Sequence, residues 1–189
     1  MNYYQSTKRK VFISFHQKDR VEVDAFIDLW STRQAVFIPK VLGVSNNDDF
    51  IDSTKPEYVM GRIRERYLQD SSVTIVLIGA CTHSRRYVDW EIKASLRQGA
   101  AEPNGLIGVL LASCGTRAHL PPRFGDNWKQ GERNCYARYR SLPRTAEELR
   151  GWIEDAYDAR ASRADLITND HDMMKYNAVC KACNVTHGG

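Results

Sequence analysis

Apolar residues in this chain fall into short, nearly unbroken runs, separated by longer stretches in which they recur every three or four positions. The first run, KVFISFH from Lys10 to His16, is β-branched and aromatic and bounded by charge, which predicts a short buried strand. In DRVEVDAFIDLWSTRQ the residues Val21, Ala25, Phe26, Leu29 and Trp30 predict a helix with one face on a sheet. AVFIP, from Ala35 to Pro39, predicts a second strand. From Lys40 to Pro56 the chain is rich in Asn, Asp, Ser and Gly, residues that compete with regular backbone hydrogen bonding, so a long loop is expected there. PEYVMGRIRERYLQD reads as a helix with Val59, Ile63 and Tyr67 on one face. SSVTIVLIG follows, and its continuous apolarity marks a strand buried on both faces in the middle of a parallel sheet.

A third helix is predicted from near Tyr87 to about Arg97. Leu106 to Ala112 form another buried strand, NCYARYR a short edge strand, and TAEELRGWIEDAYDAR a final helix carrying Leu149, Ile153 and Ala156 inward. Thr145, with Glu148 three residues later, matches a capping box at its start. Strands alternating with helices imply a central parallel sheet with helices on both faces, a three-layer α/β domain. The expected organisation is an N-terminal extension over residues 1–9, one domain over 10–160 and a C-terminal tail over 161–189.

Composition narrows the classes. Of 189 residues, 42% are hydrophobic, enough for one substantial core. The net charge of +4 comes from charges of both signs spread along the chain, which gives no basic face for nucleic acid. No apolar run is long enough for a membrane span and no secretory leader is visible, so a cytoplasmic protein is expected. Five scattered cysteines, at 81, 114, 135, 180 and 183, argue against a disulfide framework. Cys81 and Cys114 read as small buried residues at the ends of apolar runs. Cys180-Lys-Ala-Cys183, with His171 upstream and His187 downstream, has the short spacing that zinc accepts, but an unpatterned, frayed tail is the plainer reading and no metal is expected.

The stretch THSRRYVDWEI holds the candidate chemistry. With about 100° per helical residue and Val88 at zero, Ile92 falls near 40° and Leu96 near 80°, while Glu91 falls near 300°, at the border of that buried stripe. Tyr87 lies one turn before Glu91 on the same face. A carboxylate early in a helix that follows a buried parallel strand sits where open α/β sheets bind ligands. It is equally an ordinary acid favoured by the helix dipole. Phe15 and His16, ending the first strand, would project into the same cleft. Ser84 reads as the N-terminal cap of the helix, and Arg85 and Arg86 as exposed. Asp48 and Asp49 in the long loop could reach a ligand or only keep the loop hydrated. The chain has no GxxxxGK[ST], GxGxxG or GxSxG pattern, and the third strand ends Gly79-Ala80-Cys81 without the aspartate of a response regulator.

KVFISF followed by YVDWEI resembles the TIR-like family, within it the bacterial Thoeris anti-phage proteins of the ThsB type, whose first strand reads close to KVFISF or KVFISY. The family's helix pattern W-V-x-W-E-I is matched at Val88, Trp90, Glu91 and Ile92, with Tyr87 in the place of the first tryptophan. The resemblance covers roughly Lys10 to Ala112. It implies a flavodoxin-like, TIR-like fold and cleavage of NAD, as substrate and not as cofactor, at the nicotinamide–ribose bond. Glu91 would then be the catalytic carboxylate, with Phe15, His16, Ser84, Tyr87, Asp48 and Asp49 around the substrate. The product would be a cyclic ADP-ribose signal that activates a partner effector, and the enzyme could complete its site as a homo-oligomer. The rival expectations are a non-catalytic TIR-like adaptor and a nucleotide sensor.

Overall fold

The computed structural model describes residues 8–41, 56–99, 102–115 and 118–188. Strand β1 spans Lys10–Phe15 and is followed by helix α1, Arg20–Ile27, which widens into a π-helical segment over Asp28–Arg33. Strand β2 is Ile38–Val41; helix α2, Pro56–Ile63, continues as a π-helical turn to Leu68. Strand β3 is Val73–Ile78, helix α3 Arg86–Ser95 and strand β4 Gly105–Leu110. A short helix α4, Pro122–Asp126, precedes the edge strand β5, Arg138–Arg140, and the long helix α5, Ala146–Ser162. Among the described residues the strands form one five-stranded sheet in the order β2-β1-β3-β4-β5, and every pairing is parallel. This is the α/β, three-layer TIR-like architecture that the alternation of runs predicts.

Alternation along the strands assigns the faces, because successive side chains point to opposite sides. Val11 and Ile13, with Val73, Ile75, Leu77, Ile107 and Val109, pack against Val23 and Phe26 of α1 and Leu149, Ile153 and Ala156 of α5. On the other face Val76, Ile78 and Leu106 meet Val88, Ile92 and Leu96 of α3. Phe12 there packs with Val59, Met60 and Ile63 of α2 and with Trp90. Burying each such side chain stabilises by about 1.5–3 kcal/mol relative to leaving it in water.

The structure corrects several expectations. The second strand begins at Ile38 and not Ala35, because Val36 and Phe37 drop into the core as the chain enters the sheet. Of the stripe assigned to the first helix, Phe26 and Trp30 are buried, while Val21 is 83% exposed and Leu29 faces outward; Val23 takes the inner position. Residues 42–55, most of the predicted loop with Asp48 and Asp49, lie outside the described residues, as does the side chain of Tyr67. Thr145 accepts the Glu148 N–H at 3.1 Å as a capping box requires, but Glu148 returns its carboxylate to the N–H of Arg144, one residue early. No helix among the described residues is long and apolar enough to cross a membrane.

The segment after α5 is where the departure is largest. It runs antiparallel along α3 and bonds to it at successive levels. Asn169 Nδ2 donates to Lys93 O, Met174 N to Asp89 Oδ2, Trp90 Nε1 to Met174 O, and Ala178 N to Ser84 O. This chain end is packed, not frayed. Its cover explains why α3 is buried on nearly every side, including Trp90, which lies far from the helix's apolar stripe.

Candidate active site

In a sheet of this order, β1 and β3 are neighbours whose following connections leave to opposite faces, so a crevice opens between their C-terminal ends. Its walls are the turn after β1, Gln17–Asp19, and the loop after β3, which runs from Gly79 through the 3-10 turn Thr82–Ser84 into α3. Gly79 is required there. A Cβ at this position would collide with the Asp19 carboxyl group, which leans across and accepts a 3.3 Å hydrogen bond from the Thr82 hydroxyl. Thr82 in turn accepts the Gly79 N–H at 2.9 Å. The two loops are thereby tied together, and burial raises the Asp19 carboxyl above its ordinary range.

Glu91 sits in the second turn of α3, only 6% exposed. Ser14 of β1 donates its hydroxyl to Glu91 Oε2 at 2.5 Å. Ser14 has the same strand parity as Phe12, so it points to the α3 face, and it is fully buried. Burial pushes the Glu91 carboxyl from 4.5 up to about 8, while the Ser14 hydrogen bond pulls it the other way. The site therefore holds a carboxyl group poised near neutral pH, a state that a neighbouring positive charge converts to carboxylate. Ser14 escaped sequence reasoning, although a hydroxyl inside an otherwise apolar strand, on the same face as the helix bearing the acid, was the available signal.

The other expected residues divide. His16 shares Ser14's parity and is buried; its Nε2 has no hydrogen-bond partner among the described residues, and burial with Arg85, His187 and Lys18 nearby lowers its pKa to about 4. An unpartnered polar atom of this kind suits a ligand contact. Phe15 does not join it. Its side chain belongs to the opposite face, packed on the α1–α5 core with the Arg20 guanidinium 5.9 Å from its ring centroid. Tyr87 is half-buried and pairs edge-on with Trp90 at 5.2 Å, against the α2 side.

Ser84 is not the helix cap: it lies inside the 3-10 turn and donates to Cys81 O at 2.8 Å. The first N–H of α3, at Arg86, is instead capped from far along the chain by Asn177 Oδ1 at 3.0 Å. Nor are the two arginines exposed. Arg85 is buried and grips the carbonyls of His187 and Gly188 at 2.9 and 2.8 Å. Arg86 lies over the rings of Tyr87 and Trp90.

Asp89, two residues before Glu91, forms a fully buried ion pair with Arg123 of α4 at 2.9 Å. Arg123 also donates to the carbonyls of His171 and Asp172, so the pair locks α3, α4 and the C-terminal segment into one body. The groove of about 510 Å³ between Arg64, Ser71, Gln98 and Arg160 adjoins the opposite end of the sheet, where β3 and β4 begin. It takes no part in the Glu91 site.

Residues 12–114, more than half of the chain and the whole of the Ser14–Glu91 arrangement, match the family described as Thoeris protein ThsB, TIR-like domain. The chain belongs to the ThsB TIR-like family. Among curated proteins it is 28% identical over 167 residues to the Bacillus cereus (strain MSX-D12) protein named "Putative cyclic ADP-D-ribose synthase ThsB1", covering 76% of this chain and 84% of that one. As a ThsB-type TIR-like domain, the chain carries Glu91 and Ser14 on the two elements whose motifs first suggested the relationship.

Proposed function

We propose that this ThsB-type domain cleaves NAD at the nicotinamide–ribose bond and closes the remaining ADP-ribose into a cyclic signal. The observation that carries the reading is the buried Glu91 carboxyl, held by Ser14 beside the crevice at the sheet's switch point. The name of the Bacillus cereus relative supports the product class.

The chemistry needs little more than one carboxylate. Nicotinamide leaves a cationic precursor as a neutral molecule, taking the bonding electron pair onto its ring nitrogen, so no general acid is required. The barrier lies in forming an oxocarbenium-like ribose, whose charge at C1′ and the ring oxygen is met by Glu91. That attraction is stronger in the transition state than in the ground state, which is what accelerates a reaction. The pyridinium of bound NAD also favours the ionised form of a carboxyl whose own pKa is about 8. A nucleophilic atom of the same ADP-ribose then bonds to C1′ and loses a proton, giving nicotinamide, cyclic product and one proton. The His16 Nε2, unpartnered among the described residues, supports a role in bonding a polar group of the substrate, while Glu91 orients the ribose hydroxyls. The product would act on a partner effector in anti-phage defence.

The test is to incubate the protein and its Glu91→Gln variant with NAD, follow nicotinamide, and weigh the second product. Release by the wild type alone, with a product lighter than ADP-ribose by one water, is expected. Equal release from both proteins would remove Glu91 from the chemistry. Silence from both, persisting in extract of phage-infected cells, would favour the adaptor instead.

A further inference from the structure

We propose that Cys81, Cys180, Cys183 and His187 form a zinc site that fastens the C-terminal segment across the loop leading into α3. The four ligand atoms all lie within 4.8 Å of one another, although Cys81 is about a hundred residues from the rest. A tetrahedral zinc with Zn–S near 2.3 Å and Zn–N near 2.0–2.1 Å has S–S edges of about 3.8 Å and S–N edges of about 3.5 Å. Here Cys81 Sγ and Cys183 Sγ are 3.7 Å apart, and His187 Nε2 is 3.3 Å from Cys183 Sγ and 3.1 Å from Cys81 Sγ. Cys180 Sγ, 2.9 Å from Cys81 Sγ, has to back away by less than an ångström.

The local backbone is shaped for this set. Cys180 N donates to Val185 O and Asn184 N to Cys180 O, with Asn184 in the left-handed region at φ 57°, a conformation asparagine tolerates. This tight turn brings Cys183 beside Cys180 and returns His187 to the same point. His171, the other histidine suggested by spacing, is excluded: its Nδ1 lies 3.3 Å from Asp126 Oδ2, on α4. Cys81, read from sequence as a small buried residue, takes the fourth corner.

Three thiols and one imidazole, with no carboxylate, select zinc over magnesium or calcium. A dication bound here would hold the three cysteines as thiolates. On binding, His187 gives its Nε2 lone pair to the metal and carries its proton at Nδ1, so the exposed Lys18 ammonium, now 3.0 Å from Nδ1, turns to solvent. Four protein ligands leave no open position, so the site is structural. What it holds is the set of contacts on the α3 entry loop: Arg85 on the carbonyls of His187 and Gly188, Lys181 N on His83 Nε2, and Asn177 on the first turn of α3.

The experiment is metal analysis of the full chain purified without chelator, followed by cobalt substitution of the stripped protein. About one zinc per chain is expected, with the intense visible d–d bands of tetrahedral cobalt–thiolate coordination. Cys81→Ser and Cys183→Ser should lose the metal, while His171→Ala, Cys114→Ala and Glu91→Gln keep it. Stripping should also expose residues 171–188 to protease. Wild-type protein that holds no zinc and gives no tetrahedral cobalt spectrum would overturn the proposal, whether or not any variant folds. So would an intact mass two hydrogens light that maps to a Cys81–Cys180 disulfide, or full zinc retention by Cys81→Ser. None of these readings depends on NAD cleavage, so the metal site and the proposed activity fail separately.

Discussion

Ser14→Ala removes the hydrogen bond that lowers the pKa of Glu91. The hydroxyl donates to Oε2 at 2.5 Å where both side chains are buried, and alanine leaves a void no larger than one oxygen atom. A hydrogen bond to a charged group contributes about 1.5–3 kcal/mol, and one pKa unit corresponds to about 1.4 kcal/mol, so its loss raises the Glu91 pKa by about one to two units. The wild-type carboxyl titrates near 8, and the carboxylate is the active form, so kcat/KM for NAD rises with pH through that value. In Ser14→Ala the rising limb moves to roughly pH 9–10; at pH 7 the activity falls about 10- to 100-fold, while the alkaline plateau changes little. The assay is the pH profile of nicotinamide release for both proteins. The same displacement is visible without turnover in the carboxyl carbon resonance of Glu91. A uniform loss at every pH, with the limb unmoved, would refute the assignment and leave Ser14 a packing role.

Glu91→Gln should separate stability from activity. Because the folded carboxyl is pushed up to about 8 and an ordinary, solvated glutamate sits near 4.5, the folded state keeps a proton that the unfolded chain has released. Wild-type stability therefore falls as pH rises from about 4.5 to about 8 and then levels, at up to roughly 1.4 kcal/mol per unit, whereas the glutamine variant lacks this decline. Thermal unfolding at pH 5 and pH 9 checks it, and parallel melting curves for the two proteins would contradict it. Asp89→Ala strands the Arg123 guanidinium in the core and should cost about 3–5 kcal/mol, read by denaturant unfolding together with faster proteolysis of the C-terminal segment. Gly79→Ala drives a methyl group into the Asp19 carboxyl and should destabilise the chain. The added variant Asp19→Ala should recover part of that loss in a double-mutant cycle, and simple additivity would count against the contact.

The sheet was legible because burial on both faces leaves a signature that a single chain displays: VTIVLI and GLIGVL have no polar edge to hide. Glu91 was legible for a related reason, since an acid at the border of an apolar stripe is conspicuous. What stayed hidden depends on contacts between residues distant in sequence. Ser14 and Glu91 are separated by 77 positions, Asn177 and Arg86 by 91, and no local periodicity couples them. For Phe15 the cause is simpler: its position at the strand end suggests the crevice, whereas parity along KVFISF puts Phe12 and Ser14 on one face and Phe15 on the other.

The same long-range contacts explain how the fold tolerates a buried acid. Burying an ionisable group without a counter-charge disfavours the folded state, and a helix carrying such a group is held in place by interactions elsewhere. α3 has them along its length: the Asn177 cap at its first N–H, the Asp89–Arg123 pair one turn on, the Trp90 bond to Met174, and the Ser95 hydroxyl 2.7 Å from Thr74 at its end. Two of these four are made by residues after α5, and Arg123 in the third is itself held by the His171 carbonyl. The C-terminal segment thus acts on the candidate active site by fixing the helix on which the carboxyl stands. A chain cut after α5 should keep every motif that suggested the family and still lose the geometry that makes its acid useful. Circular dichroism near the native value, combined with a Glu91 resonance shifted back toward an ordinary carboxylate, is the expected signature; an unshifted resonance would mean that the sheet and α2 alone position the acid.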